Sequence, residues 1–392
     1  MHRSLVRGAV VAAAAAAVAV AGVVLVTQRP SSGASNPCTG GCPALATTAR
    51  QLVGRDGGPP GLIVLVDREG SVAVHSFGTS RVGAATPIVS TDHLRVASVS
   101  KAYSGAVALS LVAHGGLHLT DTVGQWIPGM PAAWGPVTLA ELLQHTSGIP
   151  DFSRSPEFGS AVGASLLAPP PHVGLVQFAF GMPMSFSPPG SAYAYSNTDN
   201  ELVALMVEAA THRTYEQELA QRVLVPLHLR STSLPGGADL PTPYAHGYDV
   251  APGSAPDDVT NLFAAGWSWA SGGVVATPAD LDRFVRAYAR GATTTRAVHA
   301  RQMRFRPGSS EPEGPGDNAA GLGIFRYRTR CGTVFGHTGN TSGYTQFAAA
   351  TADGSRSVVV SVNAQITPRD APAAFAELRA VETLAVCAAL AP

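Results

Sequence analysis

Lysine is all but missing from this chain. Of its 26 lysine and arginine residues, only Lys101 is lysine. Arginine does not give up its proton near neutral pH, so the one amine that can do so stands at a single position. Charge is scarce as well: charged residues make up 13% of the sequence against 45% apolar ones, and the formal net charge is zero. That composition excludes a disordered chain. The balance leaves no electrostatic footprint for nucleic acid or an acidic membrane surface. Metal-ligand spacing is missing too. The 12 histidines form no His-Glu-x-x-His run, and Cys-x3-Cys occurs once without a second pair, so neither a metal nor a cofactor is expected. Internal repeats are absent.

What is present begins with an export signature. His2, Arg3 and Arg7 precede an uncharged run from Gly8 to Val26. Its length lies between a signal-peptide core of about 7–15 residues and a membrane span of about 20. Ala19-Val20-Ala21 offers a cleavage site, so residues 1–27 read as a signal peptide, with an uncleaved anchor as the alternative. Residues 28–45 read as a flexible stem and 46–392 as the folded domain, placed outside the cytoplasm. Four cysteines fit that compartment and allow three pairings. A local Cys38–Cys42 bridge would leave Cys331 to pair with Cys387, tying a C-terminal helix to a strand.

Periodicity predicts helices at Thr47–Val53, Leu139–Gln144, Ser165–Phe180, Asn197–Thr211 and Ala371–Ala389. It predicts another from Ser98 to about His114, stopped by Gly115-Gly116, and one over Pro278–Arg290 capped by Thr277. Leu62–Val66 and Val72–Phe77 read as a hairpin. Gly272–Ala276, Gly321–Tyr327, Val334–His337, Tyr344–Ala350 and Ser357–Asn363 read as strands. Strands at both ends with helices between them predict an α+β protein. Its sheet lobe would span about 46–100 and 265–392, and its helical lobe about 101–264.

Three spaced motifs carry chemistry. In Ser98-x-x-Lys101 the two side chains share a helix face, which sets a nucleophile beside a proton acceptor. Tyr195-Ser196-Asn197 and His337-Thr338-Gly339 follow in order. Each motif alone has a plainer reading: a surface lysine, a helix-capping turn, an ordinary turn. Trp267 and Trp269 alternate ahead of Ser271-Gly272-Gly273. One of them is expected to line a cleft, or else to fill the core. Asp121 and Asp151 read as turn or cap residues, and His145-Thr146-Ser147-Gly148 as a loop beneath the site.

Taken together, these motifs resemble those of the penicillin-recognising serine hydrolases: class C β-lactamases, secreted D-alanyl-D-alanine carboxypeptidases, D-aminopeptidases and related esterases. The likeness spans roughly residues 45–390 and is strongest to the secreted carboxypeptidases, through Gly321-Leu322-Gly323 and the Cys331…Cys387 pair. The resemblance implies a β-lactamase/transpeptidase-like fold, an antiparallel sheet flanked by helices plus a mostly helical lobe. It implies Ser98 as nucleophile, Lys101 as proton relay, and Tyr195 as general base with a pKa lowered by Lys101 and His337. The implied oxyanion hole is the backbone N–H groups of Ser98 and Asn340. Asn197, Thr338, Gly339, Asn340, Trp267 and Phe325 are the implied substrate contacts. His337 stands where many relatives carry lysine, so activity is expected to change with pH near neutrality.

One departure bears on substrate. Those carboxypeptidases carry, right after Gly-Leu-Gly-x, an arginine that grips the substrate carboxylate. Here that position is Phe325, and Arg326 should face the other way. The expected activity is acyl transfer to water from a D-alanyl-D-alanine-like peptide. An esterase or β-lactamase on the same machinery is the first alternative, and a non-hydrolytic peptidoglycan or β-lactam binder is the second. The expected partners are a small peptide, ester or β-lactam substrate and peptidoglycan, with no nucleic acid. Membrane contact is expected only through an uncleaved N-terminus.

Overall fold

The computed structural model describes Cys38, residues 42–309 and residues 311–392. The expected leader, and the stem before Cys42 except Cys38, lie outside the described residues.

The sheet draws its strands from both ends of the sequence. They are β1 (Gly61–Arg68), β2 (Ser71–Gly78), β3 (Asp317–Ala320), β4 (Phe325–Thr329), β5 (Gly332–Thr341), β6 (Tyr344–Ala350) and β7 (Arg356–Val362), in the spatial order β2-β1-β7-β6-β5-β4-β3. Every neighbouring pair is antiparallel. Such a sheet can leave one face wet, but here β6 and most of β1 and β7 are buried along their length. Both faces are therefore covered, which explains the near-continuous valine and alanine in those strands.

Helices supply the cover. On one face α1 (Pro43–Gly54) packs with α6 (Pro372–Ala389). On the other lie α2 (Ser100–Ala113) and α5 (Pro278–Ala289). Helix α2 is buried from Ser100 through Leu111. A helix apolar all round belongs in a core, and this one runs from the sheet into the helical part of the fold. There it meets α3 (Asn197–Thr211) and the short α4 (Trp269–Gly272).

Two close approaches fix α2 against the sheet. A Cβ on Gly105 of α2 would fall 2.5 Å from the Tyr288 hydroxyl and 3.2 Å from Gly323 Cα. Gly323 itself has φ +66°, in the left-handed region that glycine adopts without strain. Tyr288 donates to the Leu322 and Gly323 carbonyls, at 3.3 and 3.2 Å.

The expected elements hold with local corrections. Gly321–Tyr327 is not one strand: the tight turn through Gly321-Leu322-Gly323 separates β3 from β4. Ser165–Phe180 forms a helix only over His172–Gln177, because Pro169-Pro170-Pro171 cannot continue one. Residues 265–272 are not extended but form a 3-10 turn, Ala265–Trp267, followed by α4. The Thr277 side chain does cap α5, accepting from the Asp280 N–H at 3.2 Å.

Both cysteine pairs are bonded, Cys38 to Cys42 and Cys331 to Cys387. Cys331 sits in the β4–β5 turn rather than in a strand. The two bridges pack together beside Ala391, so they gather α1, the sheet and α6 at one edge. The Cys331–Cys387 bridge closes a separation of 56 residues, which chain entropy values at about 4 kcal/mol. Replacing both with serine should lower the unfolding free energy by about that amount in urea melts. A loss under about 1 kcal/mol would show that the helix is held by its apolar face alone.

Candidate active site

Val96 hydrogen-bonds the Val274 carbonyl, and Ala97 follows with φ +49°. A non-glycine residue in that region is strained and persists where its surroundings enforce it. Here β5 enforces it: a Cβ on Gly339 would lie 2.2 Å from the Val96 carbonyl and 3.3 Å from the Ala97 Cβ. Only glycine lets the strand press on the turn that carries Ser98. Ser98 is partly exposed in a 3-10 turn, Ala97–Val99, that runs directly into α2.

One turn on, Lys101 is 1% exposed. Its Nζ lies 3.1 Å from Ser98 Oγ and 2.7 Å from both Asn197 Oδ1 and the Ser271 carbonyl oxygen. Burial pulls the amine down from its ordinary 10.5 to about 8, against the opposing pull of Asp151, Glu201 and Asp199. A lysine so placed is available as a base at mildly alkaline pH.

Asn197 begins α3 with both ends of its amide engaged. Its Oδ1 accepts from Lys101, and its Nδ2 donates to Asp151, at 3.2 and 3.0 Å, and to Ser153 Oγ at 3.2 Å. It ties the lysine to Asp151. Asp151, read from sequence as a cap, does cap the 3-10 turn Phe152–Arg154 and also holds this amide.

The Tyr195 ring stands with its centroid 5.0 Å from Lys101 Nζ and 4.4 Å from the His145 ring. Below it, His145 Nδ1 lies 2.8 Å from Asp199, which also accepts from Ser147 Oγ at 2.6 Å. The Tyr195 phenol was expected to be acidified. Burial instead raises its pKa well above the usual range, and Ser98 is the group that most opposes the rise. It rests as a neutral phenol.

His337 is likewise buried. Its Nδ1 donates to the Thr338 carbonyl at 2.5 Å, its ring meets Phe325 edge-on at 5.0 Å, and the Tyr195 ring centroid is 6.5 Å away. Burial and the neighbouring lysine drive it down to about 3. The expected charge change near neutrality is therefore absent, because the pocket is too apolar for imidazolium. His337 Nε2 has no hydrogen-bond partner among the described residues.

Strand β5 pairs with β4 only as far as Gly336, so Asn340 lies on an edge that β4 does not reach. It lies opposite Thr345 of β6. The Asn340 side chain is tied back to the Ile366 carbonyl at 2.6 Å, and Thr338 is buried.

Two expected contacts sit elsewhere. Trp267 does not line a cleft: it is buried against Phe158 and Phe178, as the 3-10 turn there dictates. Phe325 is buried between His337 and Tyr327, and the Arg326 guanidinium stands over Phe305, 5.2 Å from its centroid. No bulge returns Arg326 to the vacated arginine position. A cavity of about 520 Å³ opens beside Tyr195, with Asp151, Arg154, Met182, Met184 and Tyr193 in its walls.

The sequence model of the Beta-lactamase family matches residues 45–382. The chain belongs to that family. Its members are serine hydrolases of the β-lactamase and penicillin-binding type. A penicillin-binding protein of Bacillus subtilis is 28% identical over 163 residues, covering 40% of this chain and 34% of the relative. Protein flp of Staphylococcus aureus is 27% identical over 179 residues, covering 44% and 34%. The chain thus matches about a third of the length of these curated relatives. Among solved structures, a D-stereospecific amidohydrolase from Streptomyces sp. superposes with TM-score 0.73 at 28% identity, covering 83% of this chain and 94% of that one. A D-amino acid amidase from Ochrobactrum anthropi SV3 gives 0.73 at 21% identity over 86% and 97%, a likeness of fold.

The displaced histidine titration is directly measurable. Comparison with His337→Gln assigns its ring resonance in NMR spectra, and that resonance should keep its neutral-form position between about pH 5 and 8. A midpoint near the ordinary 6.5 would contradict the burial described here.

Proposed function

We propose that this protein is an extracytoplasmic serine hydrolase that works through an acyl-enzyme on amide, ester or peptide bonds next to a D-configured residue. The observation that carries the reading is the Lys101 amine, desolvated and 3.1 Å from the Ser98 hydroxyl. In the proposed reaction Ser98 Oγ bonds to the substrate carbonyl carbon while its proton passes to neutral Lys101. The N–H groups of Ser98 and Asn340 hold the oxyanion. The bond to the leaving nitrogen or oxygen then breaks, and the Tyr195 phenol protonates it and is resupplied from Lys101. Water reverses the steps and releases the acid. Tyr195 thus serves as a proton carrier, consistent with a phenol whose pKa is raised, and Lys101 is the base. The two disulfides and the export-like N-terminal sequence support the compartment.

The likeness to the D-stereospecific amidohydrolase supports the D-configured substrate. Phe325 argues against a strict D-alanyl-D-alanine carboxypeptidase. A carboxylate clamp works through charge-assisted hydrogen bonds, and a buried ring offers none. Amides and esters without a free carboxylate suit this site better. The test is kcat/KM for a D-amino-acid ester or amide against a diacetyl-Lys-D-Ala-D-Ala-type peptide, in wild type and Phe325→Arg. The blocked substrate should be cleaved at least as well by wild type, and Phe325→Arg should move the ratio toward the peptide. Strong wild-type preference for the free carboxylate would reverse the assignment. Lys101→Arg, which keeps the charge but cannot act as a base, should lose at least about 10²-fold in acylation. Activity within a few-fold of wild type would reduce Lys101 to a source of positive field.

A further inference from the structure

Glu201 is an acid in the protein's interior, 0% exposed, one helical turn from Asn197 on α3. It forms no ion pair among the described residues. Its two oxygens accept instead from the Ala270 and Ser271 N–H groups, each at 3.2 Å. These belong to the first turn of α4, where N–H groups have no partner inside the helix. Capping is the plain explanation, but α4 does more than end a loop. Ser271, which gives its N–H to Glu201, presents its carbonyl, on the next peptide unit, to Lys101 Nζ at 2.7 Å. Ser271 Oγ donates to the Ser268 carbonyl at 3.0 Å.

We propose that Glu201 is a positioning residue for Lys101. Its carboxylate anchors the Ala270–Ser271 segment, and the Ser271 carbonyl held in this way fixes the amine against Ser98 while the buried negative charge favours its protonated form. The inference rests on the reading of Lys101 as the proton acceptor. The other groups that act on the lysine are known: Asp151 and Asp199 favour the ammonium, His145 and His337 couple to it as potential cations, and Tyr195 meets it with its ring face. Tyr215 faces Glu201 as a further burial-raised phenol. Burial lifts the Glu201 carboxyl to about 7, against Ser271 and Lys101. Glu201 is thus ionised through the range in which Lys101 loses its proton. Removing that negative charge must lower the lysine's pKa, since the ammonium loses a favourable partner.

The sole lysine makes the test direct. Protein grown with lysine labelled at the ε carbon gives one side-chain NMR resonance, and no substrate is needed. The wild-type midpoint should lie near 8. In Glu201→Gln it should fall by about half a unit or more, with kcat reduced about tenfold and KM little changed. Glu201→Asp keeps the charge and should stay within a few tenths of a unit of wild type. Should Glu201→Gln fail to fold, wild type decides alone. Its lysine resonance should then show a smaller inflection near 7, as Glu201 ionises, before its own step. An unmoved midpoint in Glu201→Gln, an equal shift in Glu201→Asp, or a single-step wild-type titration would each reduce Glu201 to a helix cap. If the titration moves as stated but no ester or penicillin acylates the enzyme, the positioning claim stands and the hydrolase reading falls.

Discussion

A buried amine needs partners that do not neutralise it, and the fold around Lys101 is arranged to provide them. A lysine this deep loses much of its affinity for a proton. It keeps its place because three oxygens surround it: a hydroxyl from its own turn, an amide from α3 and a carbonyl from α4. None is a carboxylate. Asp151, Asp199 and Glu201 act at one remove, raising the amine's affinity without forming an ion pair with it. A contact ion pair would hold the proton too firmly for base chemistry. Bare desolvation would leave the amine neutral with nothing to orient it. The arrangement lies between those limits.

The rest of the fold serves that placement. Sequence-distant strands close one sheet, and β5 brings a side-chain-free glycine against the turn before Ser98. The strain at Ala97 is held by that contact and by the Val96–Val274 hydrogen bond. The α2 helix is anchored at its middle by Gly105 against Gly323, so the nucleophile's helix cannot slide along the sheet. Neutral His337 and neutral Tyr195 complete a site in which Lys101 is the base available at mildly alkaline pH.

Much of this was legible in the sequence. Ser98 and Lys101 could be paired because i,i+3 spacing dictates proximity on any helix, and Asn197–Thr211 read as a helix from its periodicity. Burial was not legible. The sequence suggests a His337 that titrates near its ordinary value and a Tyr195 that titrates below its own, whereas burial, helped by Lys101, drives the histidine down and burial drives the phenol up. The burial of Trp267 has a related reason: the i,i+2 spacing of Trp267 and Trp269 suits an extended chain, but two short helical turns stand there. Asp151 reads from sequence only as a cap, and Glu201 carries no motif, because their roles run through other groups. The i,i+4 spacing of Asn197 and Glu201 on one helix was the available signal, an acid one turn below a motif residue on an apolar face.

A covalent bond at Ser98 is what acyl-enzyme chemistry in this site requires. Wild-type protein and Ser98→Ala can each be incubated with a fluorophosphonate or a penicillin, weighed intact over time, and digested to locate the modified peptide. The wild type should gain the reagent's acyl or phosphonyl mass on the peptide holding Ser98, and Ser98→Ala, still folded, should gain none. Equal labelling of both proteins, or an adduct on another residue, would contradict the central claim.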